Sequence, residues 1–433
     1  MVLNKGKKTK KNLKLDKSQS LKTTSLKDNL QEGGVKFGEG GFGCVIGPYI
    51  PCSKKKISSK DILVSKLIHV EDTEEYLEEI ELYEKIKRID HKQRFFVTYI
   101  DTCLLNQTEI KNREHDDILK IKFMNKSKTK SDNKYSIIDK NIIIKDQEID
   151  KYCKIDPSLQ YFNQIQLYAG IELPKIFKIS KNDKTHNIIK LNCRFIFTRL
   201  LTGLKILHQN RIAHRDIKPG NILIYIKNLI NIIPRFIDFG LSTDLNKGYD
   251  LEDIGHRQGT TTYIPVDIYI AYRIIKLQHR GIDVYSSIGQ KQLLSEISTM
   301  YNKKYKPTYH KEKINKSFLR FKSEKGDTLI DNTEYLDNQD LILLLRKLLK
   351  QLAKGTLLAN HKRLYDGYLY KADIFALGIT FKKFYTAFQI NNNKIENLIK
   401  HMLSPNPDKR YNVNQCLKHT SLKKDKTRKR KMG

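Results

Sequence analysis

No stretch of this sequence approaches the roughly 18 uninterrupted apolar residues of a membrane-spanning helix, and its first residues carry charge where a secretory leader would be apolar. The expectation is a soluble, intracellular protein without a membrane span. Cysteine is scarce and scattered: Cys44, Cys52, Cys103, Cys153, Cys193 and Cys416 form no CxxC pair. Neither a zinc site nor a disulfide framework is expected from that pattern, and a reducing compartment is. Acidic residues are too few to balance the basic ones, 48 against 81, which leaves a formal net charge of +33. Such a chain is drawn to polyanions, whether nucleic acid, anionic lipid or acidic protein. The excess is heaviest at the ends: residues 1–30 are Lys-rich with almost no periodic apolar residues, and residues 421–433 include KKDKTRKRK. Both read as disordered tails, serving either as solubilising segments or as import signals and phosphate-binding arms. The 433 residues suffice for two or three compact units, or for one large domain with insertions.

What the sequence does have begins at Val35 to Ile46, VKFGEGGFGCVI, where Gly38, Gly40 and Gly43 fit G-x-G-x-x-G and Val45 follows. The flanks favour strands. A glycine turn between two strands lets backbone approach phosphate groups that side chains would keep away. Glu39, Gly41 and Phe42 complete the turn, with Phe42 at its tip. Dinucleotide-binding turns share the spacing, but they open a helix, and PYIPCSKKK cannot start one here.

Asp61 to His69, DILVSKLIH, is an apolar run around Lys66. A lysine in such a strand is costly unless its ammonium reaches water on an exposed face or an anion, and this segment by itself leaves both open. Glu71 to Ile89 reads as a helix with Tyr76, Ile80, Tyr83, and Ile86 or Leu82 on its apolar face. Between Ile100 and Ser158, strand-like pieces alternate with charged runs such as KSKTKSDNK, as in an inserted loop. Gln160 to Leu173 then supplies an apolar strand ending in Tyr168-Ala169-Gly170.

Leu191 to Ile224 is the most informative stretch. Its first half is a helix with Phe195, Phe197, Leu200, Leu201, Leu204 and Leu207 at helical spacing, and its second half is a tight polar loop, HRDIKPGN. That loop gathers a carboxylate (Asp216), an ammonium (Lys218) and a side-chain amide (Asn221) within one short stretch. Downstream, PRFIDFGLS sets Asp238-Phe239-Gly240 directly after an apolar strand, a carboxylate suited to Mg²⁺.

Together these segments resemble the eukaryotic protein kinase superfamily from Val35 to His419, apart from two inserts. Lys218 and the pair Gly259-Thr260 resemble its serine/threonine class. The resemblance implies an α+β, bilobal fold: a small β-rich lobe over about 31–168 with an insert at about 104–158, and a larger, mostly helical lobe over about 171–420 with an insert at about 270–362. It implies transfer of the ATP γ-phosphate, with Mg²⁺, to serine or threonine hydroxyls of protein substrates. In that scheme Gly38, Glu39, Gly40, Gly41, Phe42, Gly43 and Val45 cover the nucleotide, and Lys66 contacts its phosphates. Asp238 and Asn221 hold Mg²⁺, Asp216 orients the hydroxyl and Lys218 offsets charge. Glu79 is the preferred partner of Lys66, because its spacing to Tyr83 and Ile86 fits the family's helix C; Glu75, Glu78 and Glu81 compete. Tyr168-Ala169-Gly170 resembles the adenine-binding hinge, His214 is a packed structural residue, Phe239 lies under the helix carrying Glu79, and Thr260 braces Asp216. Arg215 calls for an anion, supplied by phosphorylation of Ser242, Thr243 or Tyr249 or permanently by Asp250, Glu252 or Asp253.

The chain also departs from the family. Pro265-Val266-Asp267 stands where A-P-E is usual, with an aspartate one methylene shorter and one place late, and its expected partner is Arg410. Asp373-Ile374-Phe375-Ala376-Leu377-Gly378 resembles D-x-W-x-x-G with Phe for Trp, and its carboxylate would hold the His214–Arg215 turn; Asp283-Val284-Tyr285-Ser286 is the alternative. Choosing Asp373 leaves an insert of about a hundred residues, far beyond ordinary loops. Within it, Asp340 to Leu352 reads as a helix that packs on the large lobe or docks a partner. Tyr301 to Lys325 interleaves aromatics and lysines, as a solvated face or a site for nucleic acid or an acidic substrate. These inserts and the GFGCV…PYIPC form resemble kinases of large DNA viruses, which implies host cytoplasm, nucleus or virion. The competing reading is a pseudokinase scaffold acting through its basic tails and inserts, against which every catalytic position is filled. Nucleic acid is at most a secondary partner, through the tails, since no base-reading element is found.

Overall fold

The computed structural model describes residues 35–40, 43–47, 49–52, 57, 59, 61–69, 73–104, 161–228, 231–247, 260, 263–284, 286, 288–289, 291–293, 295–296, 319–322, 328–332, 357–404 and 406–422. The N-terminal tail, all but the first two residues of the C-terminal tail, Gly41, Phe42, almost all of the first expected insert, the helix expected at Asp340 to Leu352 and most of the Lys-rich run before it lie outside the described residues. The described chain divides into two compact units. The first takes residues up to Thr73, 99–104 and 161–168; the second takes 74–98 and everything from Ala169.

The first unit is an antiparallel sheet of β1 (Val35–Gly40), β2 (Gly43–Gly47), β3 (Leu63–His69), β4 (Tyr99–Leu104) and β5 (Tyr161–Leu167), in the order β1-β2-β3-β5-β4. β1 pairs with β2 so that Gly40 faces Gly43, which makes the glycine-rich segment strand, loop, strand. β3 is the central strand. Its Leu63, Val64, Leu67 and Ile68 are all buried, as a strand covered on both faces requires, while Lys66 is half-buried, opposite Val45 on one side and Gln164 on the other.

The expectation of no disulfide framework is corrected here. Cys52 and Cys103, separated by 51 residues, are joined, and Cys44 is disulfide-bonded as well. The loop after β2 is folded back onto the sheet: the Ile50 N–H donates to Ser65 Oγ (2.7 Å), and the Asn163 side-chain amide donates to the Ile50 carbonyl (2.7 Å). That return brings Cys52 to β4. The pairing depends on β4 lying beside β5, a long-range fact with no local motif, so the spacing carried no sign of it. Cysteine usage therefore argues nothing about a reducing compartment; Cys193 and Cys416 are free and buried.

The second unit is mostly helical: α1 (Thr73–Ile89), α2 (Leu173–Phe177), α3 (Lys184–Leu191), α4 (Cys193–Gln209), α5 (Val266–His279), α6 (Leu357–Ala387), α7 (Asn393–Met402) and α8 (Val413–Lys418). Helix α1 buries Tyr76, Leu82, Tyr83 and Ile86, with Ile80 only partly covered. In α4 the i, i+3, i+4, i+7 series Phe197, Leu200, Leu201 and Leu204 is buried, and Phe197 stacks on Phe381 of α6 with ring centroids 3.7 Å apart. Phe195 does not belong to that face. It is 48% exposed while Ile196 is buried, because two residues turn a helix by about 200° and carry Phe195 to the far side from Phe197. Short strands complete the unit: β6 (Ile171–Glu172), β8 (Ile222–Asn228) and β9 (Asn231–Phe236) in one sheet, β7 (Ile212–Ala213) paired with β10 (Thr243–Asp244), and a hairpin of β11 (Leu319–Lys322) and β12 (Thr328–Asn332) inside the second expected insert. No described helix is long and apolar enough to cross a membrane.

Gly170 opens the second unit's first strand with φ of +100°, and a Cβ there would lie 2.2 Å from the Ile224 carbonyl oxygen on β8. Gly170→Ala combines a backbone region closed to alanine with a clash against a sheet strand. It is expected to destabilise the chain by well over about 1 kcal/mol, read as a lower urea midpoint.

Candidate active site

α4 delivers the chain to a loop whose shape is set from α6. Asp373, 1% exposed, accepts the His214 N–H on one carboxylate oxygen (2.9 Å) and the Arg215 N–H on the other (2.8 Å), with His208 Nε2 3.0 Å away. Two successive N–H groups converge on one anion because Arg215 adopts φ of +66°. Asp373 is thus the anchor, and Asp283 is not: it sits in the turn after α5, where its carbonyl accepts from Ser286. His208 was not singled out from sequence, since a histidine near a helix C-terminus has a bland reading. The His214 ring is fully buried against Phe236 and Phe239, a packing role.

Downstream, one turn of 3₁₀ helix at Pro219–Asn221 brings the Asn221 amide back over Asp216. The Asp216 carboxylate, nearly buried, is held by four donors. Thr260 reaches Oδ1 with its backbone N–H (2.9 Å) and its hydroxyl (2.8 Å), while Lys218 Nζ (2.7 Å) and Asn221 Nδ2 (2.9 Å) reach Oδ2. Lys218 Nζ also donates to Thr260 Oγ1 (2.9 Å). These four residues are far apart in sequence only at Thr260, and the brace expected of it is present. A carboxylate has about four lone-pair directions, so a further hydroxyl must replace one donor. Lys218 is the one that can move, having a flexible stem and a partly exposed side chain.

The second metal-ligand candidate is adjacent. The Ile237 N–H donates to the Asn221 carbonyl (3.0 Å), so Asp238, at φ of +66°, follows directly beside the loop. Phe239 is buried against Tyr83 of α1, Phe96 and His214, at centroid distances of 5.6, 5.9 and 5.0 Å. Glu79, from the same helix, is directed at this turn: a Cβ placed on Gly240 would lie 3.5 Å from its Oε2 and 3.9 Å from Asp238 Oδ1. Glu81 bridges Lys247 instead, and Glu78 is exposed. Arg215 donates from its guanidinium to Thr243 Oγ1 (2.9 Å), and Ser242 Oγ donates to the His214 carbonyl (3.0 Å). Tyr249, Asp250, Glu252 and Asp253 lie outside the described residues. Gly38, Glu39, Gly40, Gly43, Val45 and Lys66 belong to the first unit, in the hairpin and strand already described.

Asp238 and the Asn221 side-chain oxygen fit a hard cation. The Asn221 nitrogen is turned to Asp216, which leaves its oxygen as the outward acceptor. Both donors are oxygens, and so few protein ligands suit a cation such as Mg²⁺, which keeps waters and substrate phosphates in its shell rather than a protein cage.

The departure at Asp267 is resolved as a buried pair. Arg410 Nη2 lies 2.7 Å from Asp267 Oδ1, and both side chains are fully buried. Arg410 also donates to the Ser404 carbonyl (2.8 Å) and sits over the Phe375 ring at 5.0 Å. Burial, and then the Asp267 charge, push the Tyr368 hydroxyl well above its usual range; burial, and then Arg410, lower the Lys371 ammonium.

A braced aspartate, a lysine on a flexible stem and a pair of hard oxygen donors form the candidate site on an α+β fold. The protein kinase domain family matches residues 106–422, and the chain belongs to that family. The match begins after the glycine hairpin, Lys66 and Glu79. Among curated relatives, the chain is 40% identical over 73 residues to calcium-dependent protein kinase 4 of Plasmodium falciparum, covering 17% of this chain and 13% of that protein. It is 34% identical over 112 residues to the serine/threonine-protein kinase polo of Drosophila melanogaster (25% and 18%), and 32% identical over 101 residues to the CTD kinase subunit alpha of Saccharomyces cerevisiae (22% and 18%). The chain thus spans less than a fifth of the length of each of these relatives.

Proposed function

We propose that the chain transfers the γ-phosphate of ATP to serine or threonine hydroxyls of protein substrates. The observation that carries this is the Asp216 carboxylate held by Thr260, Lys218 and Asn221 beside Asp238. The mobile donor Lys218 would leave Asp216 when a substrate hydroxyl arrives. Asp216 then orients that hydroxyl and takes its proton as the new P–O bond forms and the bond from the γ-phosphorus to the β–γ bridging oxygen breaks, releasing ADP, while Lys218 balances charge on the phosphoryl oxygens. Asp238 and Asn221 would hold Mg²⁺, which when bound neutralises phosphate charge. The backbone of Gly38, Glu39, Gly40, Gly41, Phe42 and Gly43, with Val45, would cover the nucleotide; Lys66 would bind its phosphates and Glu79 would orient Lys66. Catalysis is then mostly positioning and electrostatics.

The names of the relatives support the serine/threonine class, as does Lys218 bonded to Thr260. The charge of +33 favours acidic substrates and permits nucleic acid at the tails. The viral resemblance rests only on the glycine-loop form and the insert positions.

Transfer from γ-labelled ATP in Mg²⁺, to a generic acidic protein and to the chain itself, tests this reading. Labelled phosphoserine or phosphothreonine is expected from the wild type and none from Asp238→Ala. Nucleotide binding without transfer in the wild type would overturn it in favour of a scaffold.

A further inference from the structure

Helix α1 is fastened to the segment after Gly240 by two ion pairs of opposite polarity. Lys85 Nζ lies 2.6 Å from Asp244 Oδ1, with side chains 24% and 10% exposed; one helical turn earlier, Glu81 bridges the more exposed Lys247. The receiving segment is itself fixed to the catalytic loop. Thr243 and Asp244 pair with Ala213 and Ile212 as β10 and β7, and the Leu245 N–H donates to the Arg211 carbonyl (2.8 Å). Arg215 holds the Thr243 hydroxyl. Asp244 is also preset by its own turn, accepting the Asn246 backbone N–H (3.0 Å) and side-chain amide (3.0 Å). Burial would raise the pKa of Asp244, but the Lys85 and Asn246 hydrogen bonds and the Lys85 charge outweigh it, and the carboxyl lies below its ordinary value. On the same helix Tyr83 packs on Phe239 and Glu79 reaches the Gly240 turn.

We propose that Lys85 and Asp244 are positioning residues, whose ion pair sets the register of α1 against the catalytic loop and so keeps Glu79 beside Asp238. The two pairs encode one register. A slip of one helical turn would bring Glu81 toward Asp244, like charge against like. An exposed pair such as Glu81–Lys247 contributes little by itself. Lys85–Asp244 differs because it is shielded and its acceptor is already immobilised, so little freedom is lost on pairing. The chain's own carboxylate thereby does the fastening, whatever the state of Thr243. The catalytic consequence rests on the kinase reading; the fastening of α1 does not.

The test uses the full chain, with two readouts: hydrogen–deuterium exchange of α1 amides and phosphate transfer. Lys85→Met and Asp244→Asn are each expected to raise α1 exchange about tenfold and lower kcat about tenfold, and the swapped pair Lys85→Asp/Asp244→Lys to recover most of both. Lys247→Met, the exposed comparator, stays within about twofold. Exchange in α4 is the control for general loosening. Unchanged α1 exchange in the single variants, equal acceleration in α4, or a swap no better than either single variant overturns the proposal. If the wild type transfers no phosphate while α1 exchange responds as expected, the kinase reading falls and the fastening stands.

Discussion

Asp216→Asn is expected to lower phosphoryl transfer about a thousandfold, within the range found for loss of a positioned general base, while ATP still binds. The isosteric change keeps the volume of a nearly buried side chain but replaces an acceptor with a donor. One face of the new amide then meets either the two Thr260 donors or those of Lys218 and Asn221, donor against donor. The other loss is chemical, since an amide cannot take the hydroxyl proton. Steady-state kcat alongside nucleotide affinity distinguishes this from unfolding. A fall in kcat of less than about tenfold would mean that Asp216 only shapes the loop.

The largest stability effect is expected at Arg410. Removing one member of a fully buried ion pair leaves the other charge without compensation, and Arg410→Met should cost about 3–5 kcal/mol, read from urea unfolding. The guanidinium also satisfies the Ser404 carbonyl and covers Phe375, so packing and hydrogen bonding are lost with the charge. The double variant Asp267→Leu/Arg410→Met removes both charges and should recover much of that loss. If the double variant is as unstable as Arg410→Met, the uncompensated Asp267 charge is not what drives the destabilisation.

Both predictions concern residues that are partly legible in the sequence, and the difference between them is instructive. HRDIKPGN and Asp238-Phe239-Gly240 announce their chemistry because a short loop must carry acid, cation and amide at fixed spacing. The α4 face was legible by periodicity, except at Phe195, where counting aromatics overrode the helical angle. The strand–loop–strand form of β1 and β2 was legible from glycine placement, while their register was not. Asp267 and Arg410, 143 residues apart, were joined only through the family pattern, and their burial could not be read. Asp373 competed with Asp283 until α6 brought one of them to the His214–Arg215 turn.

By itself, then, the sequence marked the loop that carries the candidate site and the helix α4 that leads into it, since these depend on neighbours within a few turns of chain. The tertiary structure alone decided the Cys52–Cys103 pairing and the Lys85–Asp244 fastening. Each of these joins segments distant in sequence, and no local pattern encodes which strand lies beside which or which surface lysine meets which carboxylate.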